Sequence, residues 1–317
     1  MKALYLENGK LDLRNIPKPE RKSEESLVKV TVAGICNTDL ELVKGYMDFT
    51  GVPGHEFVGI VEESDNPSLP GKRVVGEINA ACGACEWCEK GLGRHCPNRT
   101  VLGILNHQGC FAEYLCLPDE NLLVVPEEIS DEAAVFTEPL AAAMEIQEQI
   151  AIQPDVSICV IGDGKLGILI TLALSLASKN VTIIGKHSEK IALACANGAK
   201  GLNRNENIQQ QFDIVVEASG SPSGWESAVN LVRPRGTIVL KSTYAEDLNF
   251  NPASLVINEI TVVGSRCGLF APALEVLQKG LVNPLPLIQQ KLPFNDFQQA
   301  FEKAKTPGSM KILLALH

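Results

Sequence analysis

Positive charge is scarce in this chain: 28 Lys and Arg face 38 Asp and Glu, a formal net charge of −10. With no basic stripe to neutralise phosphates, nucleic acid is excluded as the main partner. Long apolar runs are also missing. The nearest, residues 166–177, is broken by Thr171 and Ser175 and falls short of the roughly 20 residues that span a bilayer. The opening Met1-Lys2-Ala3-Leu4-Tyr5-Leu6-Glu7 lacks the apolar core of a secretory signal and reads as a first strand. No internal repeat, low-complexity tract or long flexible linker interrupts the chain.

Cysteine, by contrast, is plentiful, with ten in 317 residues. Without an export signal, these read as thiols or metal ligands in a reducing compartment, the cytoplasm, and not as a disulfide framework. The length accommodates two domains, each with its own core. Up to about residue 125 the pattern is short and β-rich, with runs at 27–32, 57–61 and 73–75 between Gly, Pro and charged turns. From about residue 137 strands and helices alternate: strands at 156–161, 181–184, 213–218, 237–241 and 260–264, helices at 165–178, 188–197 and 224–231. That rhythm predicts a doubly wound parallel sheet. Helices at 272–279 and 294–305 and a last strand at 310–316 complete the chain.

Six of the fifteen cysteines and histidines form two groups. In residues 34–56, Cys36 offers a thiolate and His55 an imidazole, a donor pair suited to zinc. Gly51, Pro53 and Gly54 let the chain bend sharply before His55. Alone, the pair could equally be a buried small hydrophobe and a hydrogen-bonded core histidine. The second group is Cys82, Cys85, Cys88 and Cys96, spaced C-x2-C-x2-C-x7-C in a Gly-rich loop. Four thiolates so placed can close a tetrahedral, structural zinc site. An iron–sulfur cluster is the rival for the same ligands.

After the strand at 156–161 comes Gly162-Asp163-Gly164-Lys165-Leu166-Gly167 and then a helix. Strand before and helix after are the context in which G-x-G-x-x-G binds a dinucleotide. Gly162 permits the turn, Gly164 admits the pyrophosphate to the backbone, and Gly167 lets helix and strand pack closely. The phosphates then meet the helix N-terminus. The next strand would end on an acid for the ribose 2′-OH of NAD. It ends instead in Gly185-Lys186-His187, which leaves room and positive charge for a 2′-phosphate and predicts a preference for NADP, with NAD possible. A solvated basic turn is the plainer alternative.

Taken together, Gly-Ile-Cys-Asn-Thr-Asp at 34–39, Gly-His-Glu at 54–56, the four-cysteine loop, Gly-Cys-Phe-Ala-Glu-Tyr at 109–114, Thr-Glu-Pro-Leu-Ala at 137–141 and the glycine turn resemble a zinc-dependent medium-chain dehydrogenase, nearest the polyol, glucose and threonine branch. The resemblance implies an α/β protein with two domains. One is a β-rich, chaperonin-like (GroES-like) catalytic domain at 1–141 and 268–317, carrying the structural lobe 82–96. The other is a Rossmann domain at 142–267. It implies catalytic zinc on Cys36 and His55, with a third ligand from Glu138 or Glu56, of which Glu138 is favoured at rest. By residue chemistry alone, Glu138 could be a helix N-terminal acid and Glu56 a buried partner for a basic residue. Lys311 matches a basic residue set against the cofactor pyrophosphate, unless it is simply exposed. Thr38 matches the hydroxyl that relays the alcohol's proton; position 41, a histidine in relatives with a longer relay, is Glu41. The expected activity is reversible hydride transfer between a secondary alcohol and its carbonyl, with two zincs per chain, a small-molecule substrate, and a homodimer or homotetramer paired through the edge strand at 260–264. A zinc-free quinone or enone reductase and a non-catalytic NADPH-binding relative are the competing readings.

Overall fold

A computed structural model describes residues 1–243 and 250–316. The chain divides into two units, Met1–Glu138 with Phe270–His317, and Pro139–Leu269. The first division falls in the opening turn of the helix Thr137–Gln149.

In the second unit β1 (Ser157–Ile161), β2 (Asn180–Gly185), β3 (Lys200–Asn203), β4 (Phe212–Glu217), β5 (Val232–Leu240) and β6 (Thr261–Gly264) form one sheet. Their order is 3-2-1-4-5-6 and every neighbouring pair is parallel. Strands covered on both faces carry unbroken apolar runs, and Ile158, Cys159 and Val160 of β1 are fully buried. The helices α1 (Lys165–Leu174), α2 (Ser188–Ala194) and α3 (Pro222–Leu231) alternate with the strands. α1 ends four residues short of the expected 178. β3 was not foreseen, because Lys-Gly-Leu-Asn has no apolar run to mark it. Strand order reverses between β1 and β4, the place where sheets of this kind bind ligands at their carboxyl ends.

The first unit is built on a seven-stranded sheet. Its order is Ile288–Pro293, Lys311–Ala315, Glu25–Gly34, Glu56–Glu63, Arg73–Gly76 and Leu122–Val124, with Tyr114–Pro118 also paired to Glu25–Gly34. Two of these strands come from the chain's last thirty residues, so the C-terminal segment completes a sheet begun by the N-terminal one. Register then sets up the site. Gly34 lies opposite Glu56 on one side and Leu313 on the other, and Ile35 N donates to Ile312 O at 3.0 Å. Cys36 leaves the central strand just as Glu56 enters one neighbour and Lys311 the other. No helix of the described residues is long and apolar enough to cross a membrane.

Candidate active site

Cys36 precedes the helix Asn37–Val43. Its backbone N–H donates to Asp39 Oδ2 at 2.8 Å, so Asp39 satisfies an amide that the helix start would otherwise orphan. The other carboxylate oxygen, Oδ1, lies 3.4 Å from His55 Nδ1. His55 reaches this place on a loop clamped by residues 108–111. Gln108 Oε1 accepts from Val52 N (2.6 Å), Gly109 N donates to Val52 O (2.6 Å), and Cys110 N to Gly54 O (2.9 Å). Gly54 takes φ +98°, and a Cβ there would stand 2.8 Å from the Phe111 ring. The tight turn needs that glycine.

The result is a cluster in which Cys36 Sγ, a His55 ring nitrogen and a Glu56 carboxylate oxygen all lie within 4.8 Å of one another. His55 and Glu56 are buried, Cys36 half-buried. Among the described residues, His55 Nδ1, Glu56 Oε1 and Asp39 Oδ1 are buried and lack a hydrogen-bond partner. The 3.4 Å approach of Asp39 to His55 therefore lacks hydrogen-bond alignment. Such groups are costly to leave unsatisfied, and a zinc ion would engage the free Glu56 oxygen, with Cys36 and the other nitrogen of the imidazole as further donors. Thiolate, imidazole and carboxylate are zinc donors, so the residues fit the metal. Burial disfavours the charged imidazolium of His55, but Asp39 and then Cys36 outweigh it and hold the pKa well above 6.5.

Glu138, the favoured third ligand from the sequence, is not in this cluster. It stands in the first turn of Thr137–Gln149, the helix-terminal position weighed as its alternative, and its charge reaches Lys311. Lys311 is buried at 1% exposure, not exposed, and its ammonium is hydrogen-bonded to Glu56 Oε2. Burial opposes the lysine charge, yet Glu56 and Cys36 overcome it and raise the pKa above 10.5. The pairing engages Oε2 and leaves Oε1 facing the cluster. Thr38 is half-buried, with Oγ1 3.8 Å from Cys36 Sγ. Cys110 lies behind Glu56, where burial and the Asp39 and Glu56 charges hold its thiol protonated.

The second group also comes together. The sulfurs of Cys82 and Cys96 are 3.5 Å apart, Cys85 and Cys88 3.5 Å, Cys85 and Cys96 3.6 Å, and Cys82 and Cys88 4.0 Å. Four thiolates about 2.3 Å from one zinc would be about 3.8 Å apart along each tetrahedral edge, so these residues fit a single ion. A cluster that spreads its thiolates over several irons would space them wider. The two-residue ladder Asn79–Ala80 with Thr100–Val101 closes the lobe at its neck. The Ala84 N–H, and after it the neighbouring Cys96 thiol, lower the Cys82 pKa to about 6, which favours its thiolate.

In the second unit, the glycine turn joins β1 to α1. Gly162 adopts φ +116°, and a Cβ on Gly167 would sit 2.0 Å from Gly162 O. In front of Gly164 the space is open. Lys165 and Leu166 form the first turn of α1. Gly185, Lys186 and His187 follow β2, and Asp163 crosses to meet them: its Oδ2 accepts from Lys186 N at 2.8 Å and His187 N at 2.7 Å.

Two family models match in sequence. The alcohol dehydrogenase GroES-like domain covers residues 22–127 and the zinc-binding dehydrogenase domain residues 164–279. The chain belongs to the zinc-type medium-chain dehydrogenase family. As such it is an oxidoreductase of the alcohol dehydrogenase kind. It is similar to a sorbitol dehydrogenase of Halalkalibacterium halodurans, 27% identical with 96% of each chain covered. Among solved structures it resembles RspB of E. coli CFT073 complexed with NADH (26% identity, TM-score 0.92, 100% and 99% covered). It also resembles a zinc-binding dehydrogenase of Sinorhizobium meliloti bound to NADP (26%, TM-score 0.89, 99% of each). Three residues of this dehydrogenase carry parts that sequence reasoning missed: Asp39 beside His55, Lys311 as the partner of Glu56, and Asp163. Only Asp39 had a local signal, an acid three residues after the residue that opens a helix.

Proposed function

We propose that this dehydrogenase transfers hydride reversibly between a secondary alcohol, of the polyol or sugar kind, and NAD(P). Cys36, His55 and Glu56 would hold one zinc and Cys82, Cys85, Cys88 and Cys96 a second, structural one. The observation that carries this reading is the cluster of three donors within 4.8 Å, in which the buried Glu56 Oε1 has no hydrogen-bond partner. When bound, zinc supplies Lewis acidity toward an alcohol oxygen and NAD(P) supplies the hydride acceptor.

The chain's own residues do the rest. Asp39 orients His55 from its far side, as carboxylates behind ligand histidines do. Lys311 fixes Glu56 by one oxygen and frees the other; Glu138 is the alternative carboxylate. The Thr38 hydroxyl takes the alcohol's proton and hands it outward. Glu41 lies beyond it, paired with Lys44 at 2.9 Å, so the relay ends at Thr38 and water.

Likeness to a sorbitol dehydrogenase supports the substrate class. Relatives with NADH and with NADP leave the nucleotide open. The expected NADP preference rested on the room at Gly185 and on positive charge or donors from Lys186 and His187; Asp163 fills that room and engages the backbone N–H groups of both residues. We therefore propose NAD(P) without that preference. β6 ends the sheet, with a neighbour on one side only among the described residues, and is the edge through which two chains would pair in a homodimer or homotetramer.

The decisive experiment is a panel of polyols, sugars and secondary alcohols, followed by nicotinamide absorbance on metal-analysed protein. Two zincs per chain and turnover of at least one secondary alcohol are expected. One zinc or none, with no turnover across the panel, would end this reading.

A further inference from the structure

The end of β2 is where sheets of this type place an acid for the adenosine ribose, and here Gly185 brings no side chain. A carboxylate stands there all the same. Asp163, the second residue of the glycine turn, reaches across from the end of β1. Its Oδ2 accepts from Lys186 N (2.8 Å) and His187 N (2.7 Å) and lies 2.9 Å from His187 Nδ1. The residue is 8% exposed. A Cβ built on Gly185 would sit 2.6 Å from Asp163 Cβ and 2.8 Å from its Oδ2. The room left by Gly185 is thus already filled, by a carboxylate instead of a phosphate.

We infer that Asp163 is the residue that selects the nucleotide, accepting from the adenosine ribose hydroxyl of NAD and turning away the 2′-phosphate of NADP. This rests on reading the turn as a dinucleotide site, as proposed above. Two observations carry it. Three donors within reach of a 2′-phosphate, the N–H groups of residues 186 and 187 and the His187 ring, are occupied by Asp163 Oδ2, which leaves the Lys186 ammonium outside the clamp. A phosphate of about −1.5 to −2 charge would also meet a fixed negative charge at close range, in a partly buried place where screening is weak. All three contacts fall on Oδ2, so Oδ1 takes no part in the clamp and is the acceptor a ribose hydroxyl needs. Burial works against the ionised form of Asp163, but the His187 and Lys186 N–H groups outweigh it and keep the pKa below 3.8. The carboxylate is therefore charged at neutral pH.

The test is direct binding of NADH and NADPH to the zinc-loaded full-length protein, by titration calorimetry, for wild type, Asp163→Asn and Asp163→Ser. Wild type should bind NADH at least about tenfold more tightly than NADPH, on the strength of one close like-charge pair. Asp163→Asn keeps the shape and one acceptor for the backbone N–H groups but drops the charge. It should narrow that ratio about tenfold, chiefly by gaining NADPH affinity. Asp163→Ser, checked for an unchanged melting temperature, should move the ratio the same way. Equal or tighter binding of NADPH by wild type would overturn the inference, as would an unchanged ratio in both variants. Binding of neither nucleotide to wild type would remove the dinucleotide reading itself, and this inference with it.

Discussion

Lys311 and Glu56 are buried side by side, and neither is tolerable there without the other. Removing one partner of a buried ion pair strands the other charge, at a cost of about 3–5 kcal/mol. Lys311→Met should therefore lower the melting temperature markedly, while a Lys311→Met, Glu56→Gln double variant should recover much of the loss. Calorimetric melts of the three proteins check this. At the metal cluster, Cys36→Ala is expected to lose one of two zincs and about 10³-fold or more in kcat/KM, because several kcal/mol of charge stabilisation go with the ion. Metal analysis beside a steady-state assay tests both halves. Thr38→Val keeps the volume and loses the hydroxyl. Its kcat should fall by about 10²-fold, the low end for positioned proton transfer, with NADH affinity unchanged.

At the scale of elements, the structure separates what a linear pattern can reveal from what it cannot. The Rossmann strands were visible because burial on both faces writes apolar runs such as Ile158-Cys159-Val160-Ile161 into the sequence. Ile288–Pro293 was invisible for the opposite reason: Gln290, which shares a face with Ile288 and Leu292, is polar and breaks the alternation that marks a strand. Cys36, His55 and the four-cysteine spacing were legible because few residue types bind zinc. The partnership of Lys311 with Glu56 was not, since it depends on register across three strands and on 255 residues of sequence separation. A second cross-link of this kind ties β1, β4 and β5. Asp213 Oδ2 accepts from Ser157 N (2.8 Å) and Oγ (2.5 Å), and Arg233 Nε donates to Oδ1 (2.6 Å). The Ser157 hydroxyl and Arg233 outweigh burial and lower the Asp213 pKa from 3.8 to about 2. A depressed acid stabilises the fold above its unfolded pKa, so this contribution is present above about pH 4 and is lost as pH falls through about 2. Asp213→Ala should cost on the order of 1 kcal/mol at neutral pH and progressively less as pH is lowered from about 4 toward about 2, measured by urea titration across that range. The structural lobe behaves differently. Trp87 is 46% and Leu92 40% exposed, so little apolar burial supports it, and Cys88→Ser should unfold the lobe locally, opening residues 82–96 to protease while the catalytic zinc is retained.

For the whole molecule, two features set the behaviour in solution. Among the described residues β6 ends the six-stranded sheet with one side unpaired, and Val262 there is 39% exposed. If chains join through this edge, Val262→Lys should shift the protein toward monomer in sedimentation, since a charged edge resists strand pairing. The other feature is that the last strand closes the sheet around Gly34 and delivers Lys311 to Glu56. A ribosome making this protein will have released the four-cysteine lobe long before that strand emerges. The lobe would take the zinc proposed for it while synthesis continues, whereas Glu56 waits for Lys311, 255 residues further on, before its charge is balanced. On the two-zinc reading proposed above, a stop codon placed before Lys311 should leave the lobe able to hold its ion and Glu56 without its lysine, which metal analysis of the shortened chain would check.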